Sequence, residues 1–165
     1  MSAVDYRVRE GVAADLVAVI RLEQETAEAP HWTAAEYGAI VDSAGFADGA
    51  VRRRLFVAEG ETGLLGFAVG KVLVSEVVNL GELESVVVNE STRRSGVGRT
   101  LCEAVIRWCV ERGATEVELE VRAGSTGAIA LYRGLGFVPV GKRAGYYRDP
   151  VEDALLMQLK LAEGM

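Results

Sequence analysis

The stretch of sequence that decides the fold is Val86-Val87-Val88-Asn89-Glu90-Ser91-Thr92-Arg93-Arg94-Ser95-Gly96-Val97-Gly98-Arg99-Thr100-Leu101. It begins as an apolar strand, passes through a basic turn that contains two glycines, and enters a long helical pattern. Glycine has no Cβ, so at Gly96 and Gly98 the backbone N–H groups that open the helix are accessible to a phosphate or pyrophosphate. The stretch therefore predicts an anion-binding turn between a strand and a helix.

Two common phosphate-binding motifs do not fit this turn. A nucleotide P-loop would continue with Gly-Lys-Ser or Gly-Lys-Thr, and no such sequence follows. A dinucleotide fingerprint would place a third glycine where Leu101 stands. An ordinary flexible turn is the remaining alternative. The Arg93-Arg94 pair and the order of the following elements favour a binding loop over it.

Outward from this stretch, the apolar periodicity predicts the element order β-α-α-β-β-β-α-β-α-β-β, which is an α/β layered fold. The predicted strands span residues 4–9, 55–58, 64–74, 80–88, 117–121, 137–140 and 154–161. The predicted helices span residues 14–25, 33–41, 96–112 and 126–135, the second opened by a capping box at Thr33 and Glu36. We expect a single domain over residues 1–161 and a loose tail at 162–165.

Composition and charge narrow the class of protein. The chain has 165 residues, half of them apolar, and a formal net charge of −6. This charge argues against a nucleic-acid partner and suits a cationic substrate. No uncharged stretch reaches the ~18 residues of a membrane span, and the first residues are charged, so we expect a cytoplasmic protein without a membrane partner. Cys102 and Cys109 are predicted to be separate, reduced core thiols.

The segment Arg93-Arg94-Ser95-Gly96-Val97-Gly98 resembles the Arg/Gln-x-x-Gly-x-Gly/Ala acyl-coenzyme A loop of the GNAT superfamily of N-acetyltransferases. The resemblance implies a central mixed, mostly antiparallel sheet flanked by about four helices, with acetyl-CoA as co-substrate. It also implies that the pantetheine arm pairs with the backbone of Val86 and Val88, in a gap between two splayed strands. The implied contacts around the pyrophosphate are Arg93, Arg94, Gly96, Val97, Gly98, Arg99 and Thr100.

Further motifs resemble one branch of that superfamily, the bacterial ribosomal-protein alanine N-acetyltransferases and their N-terminal acetyltransferase relatives. These motifs are Leu119-Glu120-Val121-Arg122-Ala123, Ala128-Ile129-Ala130-Leu131-Tyr132, Leu135-Gly136-Phe137, Tyr146-Tyr147 and Glu152-Asp153-Ala154-Leu155-Leu156-Met157. The acceptor implied is the N-terminus of a protein, for example a ribosomal protein. Many relatives have Asn where this chain has Ser125, the implied helix-cap contact to coenzyme A, and the segment after Tyr147 is shorter than in some members.

Acetyl transfer to an amine needs a base for the ammonium proton and an acid for the leaving thiolate. By resemblance, Glu120 is the base and Tyr132 the acid, while Glu84 matches a base position used elsewhere in the superfamily. Each has a structural alternative. Glu120 alternates with other glutamates and could be a solvated carboxylate on an exposed strand face. Tyr132 could simply pack on an amphipathic helix with its hydroxyl in water.

The same resemblance assigns the acceptor contacts to Trp32, in the turn between the first two helices, and to Tyr146 and Tyr147, in the link between the last strands. Tyrosine pairs also occur as ordinary rim packing. The lone His31 has no Cys, His or carboxylate cluster around it at ligand spacing, so we expect no metal. An α-amine (pKa ~8) gives its proton to a carboxylate about 3 kcal/mol more easily than a lysine does.

Three functions remain open on the sequence. The first is an N-terminal α-amine acetyltransferase acting in a ternary complex, with an open groove for a peptide. The second is an acetyltransferase for a small-molecule amine, with Glu84 as base and a closed pocket. The third is a non-catalytic acyl-CoA sensor that keeps only the cofactor loop.

Overall fold

The computed structural model describes residues 5–26, 32–42, 51–93, 95–148 and 151–161 of the chain. The predicted tail at 162–165, His31 and the predicted loop residue Arg94 lie outside the described residues. The strands are β1 (Tyr6–Glu10), β2 (Val51–Gly60), β3 (Gly63–Leu73), β4 (Asn79–Val88), β5 (Ala114–Arg122), β6 (Val138–Tyr147) and β7 (Glu152–Lys160). The helices are α1 (Leu16–Gln24), α2 (Ala34–Asp42), α3 (Val97–Glu111) and α4 (Thr126–Gly134).

The strands form one seven-stranded sheet in the order β1-β2-β3-β4-β5-β7-β6. In this sheet β4 and β5 run parallel, and the other neighbouring pairs are antiparallel. The predicted α/β class, with a mixed and mostly antiparallel sheet and about four helices, is confirmed. No helix in the described part of the chain is long and apolar enough to cross a membrane.

The parallel pairing of β4 with β5 is short. It runs from Asn79, opposite Ala114, to Glu82, opposite Glu118, and the rest of β4 pairs only with β3. The β3–β4 register also shifts, so that Glu84 is an extra residue on β4. Such a bulge bends the strand that carries it. The two strands therefore part beyond Glu82 and leave a gap in the middle of the sheet.

The helices cover the two faces of the sheet and enclose two apolar clusters. Helix α3 packs on one face through Leu101, Val105 and Trp108, while α1 and α2 pack on the other. Glycines let α3 approach closely: a Cβ at Gly70 would stand 2.8 Å from Val105 Cγ1, and one at Gly81 would stand 2.8 Å from Cys109 Sγ. The axis of α3, and the turn before it, are thus fixed against the sheet.

Local sequence signals explain most helix ends. The predicted capping box is present, because Thr33 N–H donates to Glu36 Oε1 (3.0 Å) and Glu36 N–H donates to Thr33 Oγ1 (3.1 Å). After α3 and α4 the chain passes through Gly113 (φ +78°) and Gly136 (φ +103°), a left-handed conformation that favours glycine. Cys102 and Cys109 are buried free thiols, as predicted, and burial raises the pKa of each to about 12.

Two predicted strands have a boundary that is wrong by four residues or more. The strand predicted at 137–140 is β6, which runs on to Tyr147, so Tyr146 and Tyr147 lie inside the strand and not in a link after it. Most of β6 is exposed on both faces, and an edge strand of that kind shows no alternation of apolar and polar residues. Likewise β2 begins at Val51, ahead of the predicted 55, because its first half consists of arginines that pair with β3.

Candidate active site

The turn before α3 opens a set of backbone donors. Gly96 has φ +88°, which favours glycine, and α3 begins at the next residue. The first turn of a helix has no intrahelical partners for its N–H groups, so Val97, Gly98 and Arg99 present theirs toward the turn. Thr100 differs, because its N–H donates to Gly96 O (3.0 Å) and its hydroxyl bonds Tyr6 Oη (2.8 Å). Thr100 therefore supports the turn and has no free amide donor.

Hydrogen bonds within the loop order the approach to this turn. Asn89 Oδ1 accepts from the backbone N–H and the hydroxyl of Ser91, at 3.0 and 2.9 Å. Thr92 Oγ1 donates to Asn89 O (3.0 Å), and Ser95 Oγ donates to Thr92 O. The side chains of Arg93 and Arg99 remain exposed beside the donors. A preformed ring of N–H groups flanked by guanidinium groups fits a pyrophosphate.

The gap in the sheet continues this anion site. Val86 and Val88 pair with β3 on one side, opposite Ala68 and Gly66, and have no ladder partner in β5 on the other. The hydroxyl of Ser85, at the bulge, is buried without a hydrogen-bond partner among the described residues. Unpaired strand groups and an orphaned hydroxyl suit an extended amide-containing arm, such as pantetheine. The predicted residues therefore fit acetyl-CoA. Ser125 caps α4 with no side-chain capping bond, so its hydroxyl is available too.

A cleft of about 260 Å³ lies on the α1–α2 face of the sheet, where β4 and β5 part. It brings together the predicted residues Trp32, Glu84, Glu120, Tyr146 and Tyr147. Its further lining residues are Arg53, Lys71, Glu82 and Leu83. We call it the acceptor cleft. A larger cleft of about 440 Å³, between β1 and α3, contains none of the predicted catalytic residues.

Glu120 projects from β5 into the acceptor cleft. Its side chain is 26% exposed, and its Oε1 lies 3.6 Å from Arg143 Nη2. Tyr146 lines the same cleft, and interaction with the Glu120 carboxylate is the main cause that raises the pKa of Tyr146. Glu118, two residues earlier, is exposed and bonded by Gln158. Glu120 is thus distinguished from its neighbours on the strand face by contacts made from β6.

Glu84 shares the cleft but is held by cations. Its side chain is 9% exposed, it accepts from Arg53 Nε at 2.9 Å, and Lys71 Nζ lies 4.0 Å away. Glu82 was not anticipated from the sequence. Burial raises the pKa of Glu82, Lys71 at 3.6 Å opposes the rise, and Glu84 and Glu120 add to it. The available signal was its spacing of two from Glu84, which puts both carboxylates near one face of β4.

Tyr132 lies on α4 and packs against the main core. Its ring is 6.0 Å from that of Phe137 in an edge-to-face arrangement. The side chain is half-buried and is not among the residues that line the acceptor cleft. Burial raises the pKa of Tyr132, and Cys102 and Tyr147 add to the rise. Tyr132 accordingly keeps its proton at neutral pH, as a proton donor must.

The cleft walls are aromatic. Trp32 follows α1 and packs on Tyr37, with ring centroids 5.5 Å apart. The backbone N–H of Trp32 donates to Glu23 Oε2 (3.2 Å), and the hydroxyl of Tyr37 donates to the same oxygen. Buried Glu23 therefore holds the backbone of Trp32, a role that sequence periodicity alone could not indicate. On the opposite wall, the rings of Tyr146 and Tyr147 meet edge to face at 5.1 Å.

No group of three or more His, Cys, Asp or Glu residues in the described ranges is arranged to hold a metal ion. The ionisable groups that line the acceptor cleft include carboxylates and tyrosines. One carboxylate, Glu120, faces the cleft with only a weakly held partner, and one half-buried tyrosine, Tyr132, stands on the helix after β5.

Comparisons with known proteins agree with this geometry. A family model described as the acetyltransferase (GNAT) family matches residues 15–137. The chain is 37% identical over 101 residues to the [ribosomal protein bS18]-alanine N-acetyltransferase of Escherichia coli K12, which is 60% of this chain and 66% of that protein. It is 43% identical over 93 residues to an N-alpha-acetyltransferase of Saccharolobus solfataricus, covering 56% and 54%. The first alignment therefore spans a little under two thirds of the relative's length, and the second about half.

Solved structures extend the likeness over almost the whole chain. The ribosomal-protein-S18-alanine N-acetyltransferase of Escherichia coli superposes with a TM-score of 0.74 and 27% identity, covering 98% of this chain and 99% of that one. Ard1 from Thermoplasma volcanium superposes with a TM-score of 0.77 and 26% identity, covering 96% and 99%.

Proposed function

The chain belongs to the acetyltransferase (GNAT) family, and from that we propose that it transfers the acetyl group of acetyl-CoA to the N-terminal α-amine of a protein, such as a ribosomal protein. The observation that carries this proposal is the position of Glu120, between the sheet gap and the aromatic walls of the acceptor cleft. The relatives named for alanine and N-alpha acetylation support the same class of acceptor. Transfer is direct, within a ternary complex.

Acetyl-CoA supplies an activated thioester when it is bound. The amides of Val97, Gly98 and Arg99 bind the pyrophosphate, and the free edge of β4 at Val86 and Val88 orients the arm along the gap. Glu120 accepts the ammonium proton of the acceptor, directly or through a water, and so makes the amine nucleophilic. The amine nitrogen bonds the acetyl carbon as the carbon–sulfur bond breaks, and Tyr132 gives a proton to the departing sulfur. The proton that the nitrogen loses as the amide forms restores the tyrosine hydroxyl.

The charges of the cleft suit an ammonium group as the entering ligand. Glu120 is held by Arg143, which is 56% exposed, at the long distance of 3.6 Å. Such an exposed pair contributes only about 0–1 kcal/mol, so an incoming ammonium can replace the guanidinium at little cost. Glu84, by contrast, would have to leave a close bond to Arg53. This difference favours Glu120 over Glu84 as the base.

The proposal includes the cellular setting and the domain. We place the reaction in the cytoplasm, which the bacterial relatives and the reduced, buried thiols support. We also propose that residues 1–161 act as one domain, since a single sheet joins β1 to β7.

The test is acetyl-CoA turnover, measured by thiol release, on matched acceptors. One set has free Ala or Ser N-termini, a second has blocked N-termini and a free lysine, and a third consists of polyamines. We expect turnover confined to the first set. Faster turnover of polyamines would contradict the proposal and favour a small-molecule acceptor. Tight acetyl-CoA binding without turnover on any set, and unchanged in Tyr132→Phe, would favour a sensor.

A further inference from the structure

The first residues of β7, Glu152 and Asp153, belong to a sequence motif that the reaction does not use. Both carboxylates bond backbone N–H groups of neighbouring segments. Asp153 Oδ1 accepts from Gly145 N–H at 2.9 Å, and Glu152 Oε2 accepts from Gly124 N–H at 2.5 Å. Side chains that cap backbone donors at a distance in sequence hold irregular chain in place.

Gly145 lies in a bulge of β6. The register pairs Arg143 with Ala154 and Tyr147 with Glu152, so residues 144–146 of β6 stand opposite Asp153 alone. Gly145 has φ +58°, in the left-handed region. In a regular strand, consecutive side chains point to opposite faces. The bulge breaks that alternation, and Tyr146 and Tyr147 both line the acceptor cleft as a result.

Tyr147 is held in place by Arg122, in a contact that does not involve Asp153. The guanidinium of Arg122 lies over its ring at 4.4 Å, and Arg122 Nη1 is 3.4 Å from Glu152 Oε1. Tyr146 is 48% exposed and rests on Tyr147 and under Arg143, whose guanidinium is 5.4 Å from its ring. The hydrogen bond from Gly145 N–H to Asp153 is therefore the contact that holds the backbone next to Tyr146, which lies in the cleft with Glu120.

We propose that Asp153 is a positioning residue for the acceptor: by capping Gly145 N–H it holds the β6 bulge and so keeps Tyr146 in the cleft beside Glu120. This inference rests on the proposed function in one respect, namely that Tyr146 and Tyr147 contact the acceptor. The role requires a hydrogen-bond acceptor at residue 153 and does not require its charge. The nearby Lys142, whose Nζ lies 3.8 Å from Asp153 Oδ2, forms an exposed ion pair with Asp153. We do not expect this ion pair to help hold the bulge.

Three variants separate these roles. Asp153→Ala removes the acceptor oxygen, and its KM for an N-terminal peptide is expected to rise about three- to tenfold, with the KM for acetyl-CoA unchanged. Asp153→Asn keeps a carbonyl oxygen at the same place and is expected to restore the KM for the peptide. Lys142→Gln removes only the ion pair and is expected to behave as the wild type.

Amide hydrogen exchange at Gly145 gives a readout that needs no acceptor. Protection in the wild type and Asp153→Asn, lost in Asp153→Ala, is the expected result. The inference is overturned if Asp153→Ala leaves both the exchange and the KM for the peptide unchanged. It is also overturned if Asp153→Asn is as impaired as Asp153→Ala, or if both substrates' KM values rise together. If no acceptor is turned over at all, the proposed function fails, and the exchange result alone decides whether Asp153 holds the bulge.

Discussion

Three carboxylates line the acceptor cleft, and their contacts determine how easily each could exchange its partner for a substrate amine. Glu84 is nearly buried in a close pair with Arg53, Glu82 is held by Lys71 and has a raised pKa, and Glu120 meets an exposed guanidinium from β6. A base must be able to exchange its resident partner for the substrate. By that criterion the contacts favour Glu120 as the proposed base for an entering amine.

A pair of substitutions tests this difference. Glu120→Gln is expected to lower kcat at least about 100-fold and to leave the free energy of unfolding unchanged. Glu84→Gln is expected to cost about 1–3 kcal/mol of stability, because it weakens a largely buried ion pair, with a smaller effect on kcat. Steady-state kinetics and urea unfolding of the two variants measure both quantities. A stable Glu84→Gln protein with the greater loss of kcat would point to Glu84 as base and to a small-molecule acceptor.

At this scale, motifs in the sequence point to candidate residues, but they do not indicate which contacts a residue makes with a distant element. Glu120 and Tyr132 could be named because each lies in a recognisable string of neighbours. Asp153, Glu23 and Arg143 could not be assigned roles, since each acts on a partner in another element. Pairings of that kind depend on strand register, which one sequence does not reveal.

At the scale of elements, two strand irregularities make the site. The extra residue Glu84 on β4 lies where the sheet opens. The bulge at residues 144–146 of β6 lets the consecutive residues Tyr146 and Tyr147 both face the acceptor cleft. The helices were easier to predict than these strands. The glycine after α3 and the Thr33–Glu36 capping box are local signals, whereas a bulge is decided by the partner strand.

The close approach of α3 to the sheet gives a prediction at this scale. Gly70→Ala would put a Cβ 2.8 Å from Val105 Cγ1 and 3.1 Å from Trp108 Cε3, so it is expected to destabilise the fold by about 1–3 kcal/mol. Gly38→Ala is the control, because nothing lies within 4 Å of its added Cβ and it is in a helix. It is expected to stabilise by about 0.5–1 kcal/mol. Equal effects of the two in urea unfolding would contradict the packing described.

At the scale of the whole molecule, one charge network ties the first strand to the sheet. Arg9 donates to both oxygens of Asp15, at 2.8 and 2.9 Å, and to Glu59 Oε2 at 2.7 Å. Asp15 also accepts from Val12 N–H. The bonds from Arg9 are the main cause that lowers the pKa of Asp15 below 3.8. A carboxyl with a lowered folded pKa stabilises the fold above its unfolded pKa, and that contribution is lost as the pH falls through the lowered value.

Removal of this carboxylate should therefore matter at neutral pH and not in acid. Asp15→Asn is expected to lower the free energy of unfolding at pH 7 by about 1–3 kcal/mol. The difference from the wild type should shrink as the pH falls below about 4. Urea unfolding at several pH values measures it, with Glu118→Gln, a change at an exposed carboxylate, as the control. A difference that stays constant with pH would exclude the linkage.

The short ladder between β4 and β5 has a consequence for how long the protein survives. Because few residue pairs join the two sides of the sheet, a ligand lying along the gap acts as a brace that the unfolded chain cannot bind. Such a ligand at about 100 times its Kd adds about 2.7 kcal/mol to the folded state. Proteolytic turnover of the protein is then expected to slow when acetyl-CoA is plentiful, which would couple its abundance to the supply of its own acetyl donor.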